Sequence, residues 1–164
     1  MNSLFALKSE IIAAENHNLV RRNRGKHILN FGTEIAEELS AICFSEMEGT
    51  EYKIATISTK GYDIYSETNK IEVKSVASLH RNIGNLKDKK TSDKIVVIWF
   101  SENTLLKVDR VMLYDTDFIL AEVINDGNKK GLLTHKMQKD LYALNVGIEI
   151  TAQFQSVIDK VMQN

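Results

Sequence analysis

Cysteine occurs once among these 164 residues, at position 43, and proline does not occur at all. A lone thiol excludes an intrachain disulfide and any multi-thiolate zinc or iron–sulfur centre. Long hydrophobic runs are also missing. The longest, Ile95–Phe100, has the length of a strand, so no membrane-spanning helix is expected. The opening Met1-Asn2-Ser3-Leu4-Phe5 has no basic segment leading into a long apolar one, so no secretory signal is expected either. Neither charge is in excess: 21 Lys and Arg against 22 Asp and Glu leave a formal −1. With eight scattered glycines there is no Gly/Ser linker, repeat or low-complexity tract to divide the chain. The expectation is a soluble, cytoplasmic protein, folded over residues 1–164 as a single domain with an ordinary apolar share of 43%.

Familiar catalytic signatures are absent as well. The four histidines, at 17, 27, 80 and 135, form no i, i+4 pair and none lies near the cysteine, which argues against zinc. There is no G-x-S-x-G, G-x-x-x-x-G-K or G-x-G-x-x-G. Cys43 lies beside the apolar stripe of a helix and reads as a core residue rather than a nucleophile.

What is present is segregated charge. His17–His27 holds Arg21, Arg22, Arg24 and Lys26 and no acid, while Thr33–Glu51 carries six glutamates and no base. Two further basic segments are His80–Lys94 and Lys129–Lys139. Such runs are solvated surface or phosphate-binding sites, and position decides between the two.

Apolar spacing predicts helices over about Ser3–Arg22 and Thr33–Phe44, the latter on Ile35, Leu39 and Ile42. The period then changes. Strands are predicted at Tyr52–Ile57, Tyr62–Tyr65, Lys70–Val76, Lys94–Phe100 and Val108–Tyr114. Ser66–Asn69 suits a hairpin connection, and the all-apolar Ile95–Phe100 a strand covered on both faces. Helices at Asp117–Ile124 and Thr134–Leu144, an edge strand at Gly147–Thr151 and a helix at Ala152–Met162 complete the order. The fold class is α/β (α+β), a mixed central sheet flanked by helices.

The informative stretch is Gly61–Ser75, GYDIYSETNKIEVKS. Strand alternation sends Glu72 and Lys74 to one face and Ile71, Val73 and Ser75 to the other. Asp63 lies one hairpin upstream, within register reach of Glu72. Two convergent carboxylates without imidazole or thiolate make a hard-oxygen site, suited to Mg²⁺ with Mn²⁺ as substitute. A lysine one pleat away can orient and help deprotonate water, and together these parts suit phosphodiester hydrolysis. Glu-x-Lys by itself means little, since about half of one is expected by chance in this length. Glu51-Tyr52-Lys53 is a second copy, and Asp88-Lys89-Lys90 fits the looser form. Only Glu72-Val73-Lys74 has apolar strand on both sides and an aspartate one hairpin before it. The alternative for Asp63, Glu72 and Lys74 is a cross-strand ion pair on an exposed sheet face.

GYD followed by KIEVKS resembles the PD-(D/E)XK nuclease superfamily, which includes many type II restriction endonucleases and Holliday-junction resolvases. The likeness covers roughly residues 30–100, with Tyr62 where the motif name has proline. It implies a restriction-endonuclease-like core over about 30–115, between a helical segment at 1–29 and C-terminal elements at 116–164. It also implies divalent-metal cleavage of DNA. Asp63 and Glu72 match the metal ligands, the Val73 carbonyl an additional ligand, and Lys74 the catalytic lysine. The family often adds a glutamate from the preceding helix. At 100° per residue Glu38 lies about 60° and Glu34 about 100° from Ile35, while Glu37 points away. The string AEELSA nominates Glu37 equally; helical angle selects Glu38. Arg21, Arg22, Arg24 and Lys26 then become candidate phosphate contacts, and Arg81 and Asn82 candidate base readers. The expected activity is that of a type II restriction endonuclease acting as a homodimer. The alternatives are a structure-selective resolvase or repair nuclease, a non-catalytic DNA-binding module on the same fold, or a protein-interaction domain.

Overall fold

The structure, a computed structural model, describes residues 3–26, 32–56, 59, 61–76, 91–101, 104–125 and 146–164. Its elements run α1 (Ser3–Asn23), α2 (Gly32–Glu48), β1 (Lys53–Ile54), β2 (Ile64–Tyr65), β3 (Lys70–Val76), β4 (Lys94–Phe100), β5 (Val108–Asp115), α3 (Thr116–Asn125), β6 (Ile148–Glu149) and α4 (Thr151–Gln163). The six strands lie side by side in chain order. All neighbours are antiparallel except β3 and β4, which run parallel from Ile71 opposite Lys94 to Val76 opposite Trp99. The fold is therefore α+β, a mixed six-stranded sheet with four helices among the described residues.

A parallel neighbour cannot follow a tight turn; it needs a crossover of a dozen or more residues. The 77–93 connection is long enough, and 77–90 lie outside the described residues, as does the helix expected at Thr134–Leu144.

Strand alternation divides the core between the two faces of the sheet. On one face Ile71, Val73, Val96, Ile98, Phe100, Val111 and Leu113 pack against Leu7 and Ile11 of α1, Ile35, Ala36, Leu39 and Phe44 of α2, and Phe154, Val157, Ile158 and Val161 of α4. On the other, Val76, Ile95, Val97, Trp99, Met112 and Tyr114 meet Ile119 and Leu120 of α3. β4 is thus buried on both sides, as its unbroken apolar run requires. β6 pairs with β5 only at Met112 and Leu113. Nearer the start of β5, the Val108 amide donates to Gln155 Oε1 (3.0 Å) and the Val111 amide to Thr151 Oγ1 (3.0 Å). Side chains of α4 therefore satisfy part of the β5 edge beyond β6.

The helix ends have local causes. After α1, Gly25 takes φ +65°, the Lys26 amide donates to the Arg21 carbonyl (2.9 Å) and the Gly25 amide to that of Arg22 (2.9 Å). This is a Schellman cap, for which glycine is the low-strain residue.

Candidate active site

Alternation along β3 puts Glu72 and Lys74 in the row that leads to Val76, on the α3 face, while Ile71 and Val73 face α2. Glu72 is fully buried, and the Lys74 side chain, about one-fifth exposed, forms an ion pair with its Oε1 through the ammonium. A carboxylate this deep remains charged only beside a compensating cation, so the two side chains hold each other in place.

Asp63 stands just before β2 and is fixed from three directions. Its amide donates to the Ile71 carbonyl (3.0 Å), and its carbonyl accepts from the Ala55 amide (2.7 Å). Its Oδ2 accepts from the Val73 amide (2.7 Å). The β2–β3 ladder lasts two pairs, Ile64 with Ile71 and Tyr65 with Lys70, and continuing that register sets Asp63 opposite Glu72. At that point the aspartate side chain, rather than backbone, takes the next β3 amide. This is where β2 parts from β3, and it shortens the strand expected at Tyr62–Tyr65.

The first half of α2 lies over this fork. Glu34, Glu37 and Glu38 line a cleft of about 490 Å³ together with Thr33, Ile54, Ala55, Thr56, Thr59, Tyr62 and Asp63. Burial, then the charge of Asp63, then those of Glu34 and Glu72, push the Glu37 carboxyl from 4.5 up to about 7, while Lys74 acts in the opposite direction. The Glu38 carboxyl is also raised, by burial and then by Glu10 and Glu34. Of the three helix glutamates, Glu37 is therefore the one joined electrostatically to Asp63, Glu72 and Lys74. Glu38, the choice made from helical angles, shares the cleft but answers to α1 and α2.

The reason lies in what α2 buries. Ile35, Leu39 and Ile42 are the expected inner face, yet Ala36, Ser40, Ala41, Cys43 and Phe44 are buried too. Small residues let the helix settle closely on the sheet, so its buried arc is wide and centred away from that stripe. Glu37, one turn before Ala41 and two before Phe44, then falls on the flank facing the sheet. The small residues on the far side of the apolar stripe were the available signal.

The basic candidates are less closely placed. Arg21 and Arg22 are half-buried and Arg24 and Lys26 exposed around the α1 cap, and none of the four lines the acidic cleft. Arg81 and Asn82 lie outside the described residues. A larger cavity of about 690 Å³, between the start of β5 and α4, shares no residue with the cleft and holds one acid and one base, Glu149 and Lys107.

Among the described residues no group of three or more His, Cys, Asp or Glu is close enough to hold a metal ion. The donor set at the fork is nonetheless chemically consistent with a hard dication. Asp63 and Glu72 are oxygen donors, held in place by the Val73 amide and by Lys74 respectively. Burial lifts Glu37 first, and the repulsion that adds to it is the kind that a cation relieves. Compared with protein-family models and with curated proteins, the sequence gives no match.

Proposed function

We propose that this chain is a divalent-metal-dependent endodeoxyribonuclease with a restriction-endonuclease-like core. The observation that carries the reading is the convergence of Asp63, Glu72 and Lys74 at one fork of the sheet, with Glu72 wholly buried and paired to Lys74. An exposed cross-strand ion pair, the competing account, has no use for a carboxylate at this depth.

Asp63 and Glu72 would hold Mg²⁺ or Mn²⁺, with the Val73 carbonyl as a further donor and Glu37 at the cleft side. The bound ion would supply charge neutralisation at the scissile phosphate and a more acidic water. The chain's own residues do the positioning. The Val73 amide fixes the Asp63 carboxylate, and Glu72 fixes the Lys74 ammonium, which then orients the attacking water and stabilises the developing charge. Arg21, Arg22, Arg24, Lys26, Arg81 and Asn82 are proposed to contact the DNA, and a double-strand break at a symmetric site calls for two such subunits.

Cleavage of plasmid and phage DNA with Mg²⁺, Mn²⁺ or EDTA tests this, with Lys74→Ala alongside. Discrete metal-dependent fragments, lost in the variant, are the expected result. Metal- and Lys74-dependent nicking or smearing would favour a structure-selective nuclease. Silence on linear, branched and modified DNA in every metal would leave a binding module, and equal cleavage by the variant would overturn the site.

A further inference from the structure

Helix α1 has two apolar faces, and among the described residues the sheet and its neighbouring helices use only one. Leu7, Ile11 and Ala14 are buried in the core. On the other side Phe5, Ile12, Leu19 and Val20 are 41 to 55% exposed, four of the nine large apolar side chains left exposed among the described residues. Phe5, Ile12 and Leu19 stand one heptad apart, which aligns them within about 40° along the helix. We propose that this face is a self-association surface, on which a second copy of the chain packs antiparallel with the two-fold axis beside Ile12.

The order of residues along the face points to this occupant. A two-fold interface needs a surface complementary to itself. Reversed about Ile12, the stripe maps onto its own chemistry: Phe5 and Leu19, seven residues to either side, exchange places, so large apolar groups meet along the seam. Charge agrees with the same axis. Lys8 and Glu15 lie on one flank of the stripe, about 40 and 60° from Ile12, and an antiparallel two-fold sets that flank against itself. Each lysine then falls within one residue's rise, about 1.5 Å along the axis, of the second copy's glutamate. Glu15 is held ready for it, since the Leu105 amide donates to its Oε1 (2.6 Å) and the Thr104 hydroxyl to its Oε2 (3.2 Å). Each oxygen keeps a further lone pair for a cation.

A lipid surface or an unrelated partner requires no such reversal symmetry. Ser9 and Asn16, the polar residues within the face, limit its strength and help to fix its register. The Ser9 hydroxyl is already satisfied, donating to the Phe5 carbonyl (2.9 Å). Two faces roughly 30 Å long in contact bury on the order of 1,000 Å², the lower bound of specific interfaces, so a dimer dissociating in the micromolar range is expected.

Sedimentation of the full chain from about 1 to 500 μM, on either side of that range, provides the test. The wild type should shift from monomer to dimer. Ile12→Asp should remain monomeric throughout, with association weakened at least about a hundredfold, and should melt at the wild-type temperature when both are dilute. Lys8→Glu, which sets two glutamates against each other, should weaken the dimer by about tenfold. Adding Glu15→Gln, which removes that repulsion and keeps an acceptor for the Leu105 amide, should recover part of the loss. A wild type monomeric at every concentration overturns the proposal. So does an Ile12→Asp monomer that loses stability, because the face is then covered by the chain itself. Lys8→Glu without effect, or without recovery on adding Glu15→Gln, overturns the antiparallel register. The proposal is independent of the nuclease reading: no readout here depends on DNA or metal.

Discussion

The chain contains the same tripeptide pattern twice on one sheet, and the two copies have opposite fates. Glu51-Tyr52-Lys53 leads into the edge strand β1, where its ion pair spans 3.6 Å with the Glu51 and Lys53 side chains 78 and 59% exposed. Glu72-Val73-Lys74 lies in the interior strand β3, where the corresponding side chains are 0 and 20% exposed. In the first, the middle residue carries the structural role: Tyr52 is buried and its hydroxyl donates to Glu48 (2.7 Å). In the second, the charged residues themselves are built into the core. A solvated pair is screened and contributes a few tenths of a kcal/mol. A desolvated one ties its members to each other, because neither can be lost without stranding the other. Chemical identity is shared, and strand position alone separates a surface decoration from a candidate catalytic pair.

The comparison breaks most visibly in activity. In a cleavage assay Lys74→Ala and Glu72→Gln should each lower the metal-dependent rate by about 10²-fold or more, the usual scale for a positioned proton-transfer or charge-stabilising group. Glu51→Gln and Lys53→Ala should stay within about twofold of wild type. Loss of activity in the second set would show that the edge copy had been dismissed wrongly.

Stability gives the next largest contrast. Lys74→Ala strands the buried Glu72 carboxylate and should cost about 3 kcal/mol, a fall of roughly 6 to 12 °C in Tm for this size. The double variant Glu72→Gln/Lys74→Met removes both charges and should recover much of that loss. Lys53→Ala should cost less than about 0.5 kcal/mol. Thermal melts of the four proteins decide this, and a double variant no better than Lys74→Ala would mean that packing, rather than charge, holds the site.

The long strands of the core could be read to within one residue. Lys70–Val76 and Lys94–Phe100 match their expected limits because apolar content and burial coincide there. The short strands could not. Tyr52–Ile57 was expected and Lys53–Ile54 is found. The chain leaves the ladder soon after, with the Thr59 amide donating to the Thr56 carbonyl in a turn (2.8 Å). Such departures depend on partners distant in sequence: β2 parts from β3 where the Asp63 carboxylate captures the Val73 amide, an event visible only once register is known. The placement of Asp63 opposite Glu72, with Lys74 beside it, was legible because alternation and hairpin length are local rules. The choice among Glu34, Glu37 and Glu38 was not, because it depends on how closely Ala36 and Ser40 let α2 approach the sheet.

That last choice can be tested by pH, and it extends the contrast, since the charge cluster around Glu72 reaches into α2. The folded Glu37 carboxyl, at about 7, binds its proton more tightly than in the unfolded chain, where 4.5 is its ordinary value. Below pH 4.5 both states carry the proton and Glu37 adds no pH-dependent term. As pH rises from 4.5 to 7 the unfolded state ionises first, so wild-type stability falls through that window. Glu37→Gln cannot ionise and escapes the loss. Its melting temperature relative to wild type should therefore rise from pH 4.5 to 8, by the equivalent of about 1 to 2 kcal/mol once solvent screening at the cleft is allowed for. Glu38→Gln should show a rise of the same sign, since burial and the charges of Glu10 and Glu34 raise that carboxyl as well. Saturating Mg²⁺ separates them. A dication at the fork favours the ionised Glu37, so it should remove the advantage of Glu37→Gln at pH 8 while leaving that of Glu38→Gln largely in place. If Mg²⁺ instead erased the Glu38→Gln advantage and spared that of Glu37→Gln, the helical-angle assignment would be the right one, and the position of Glu37 over the fork would be structural rather than functional.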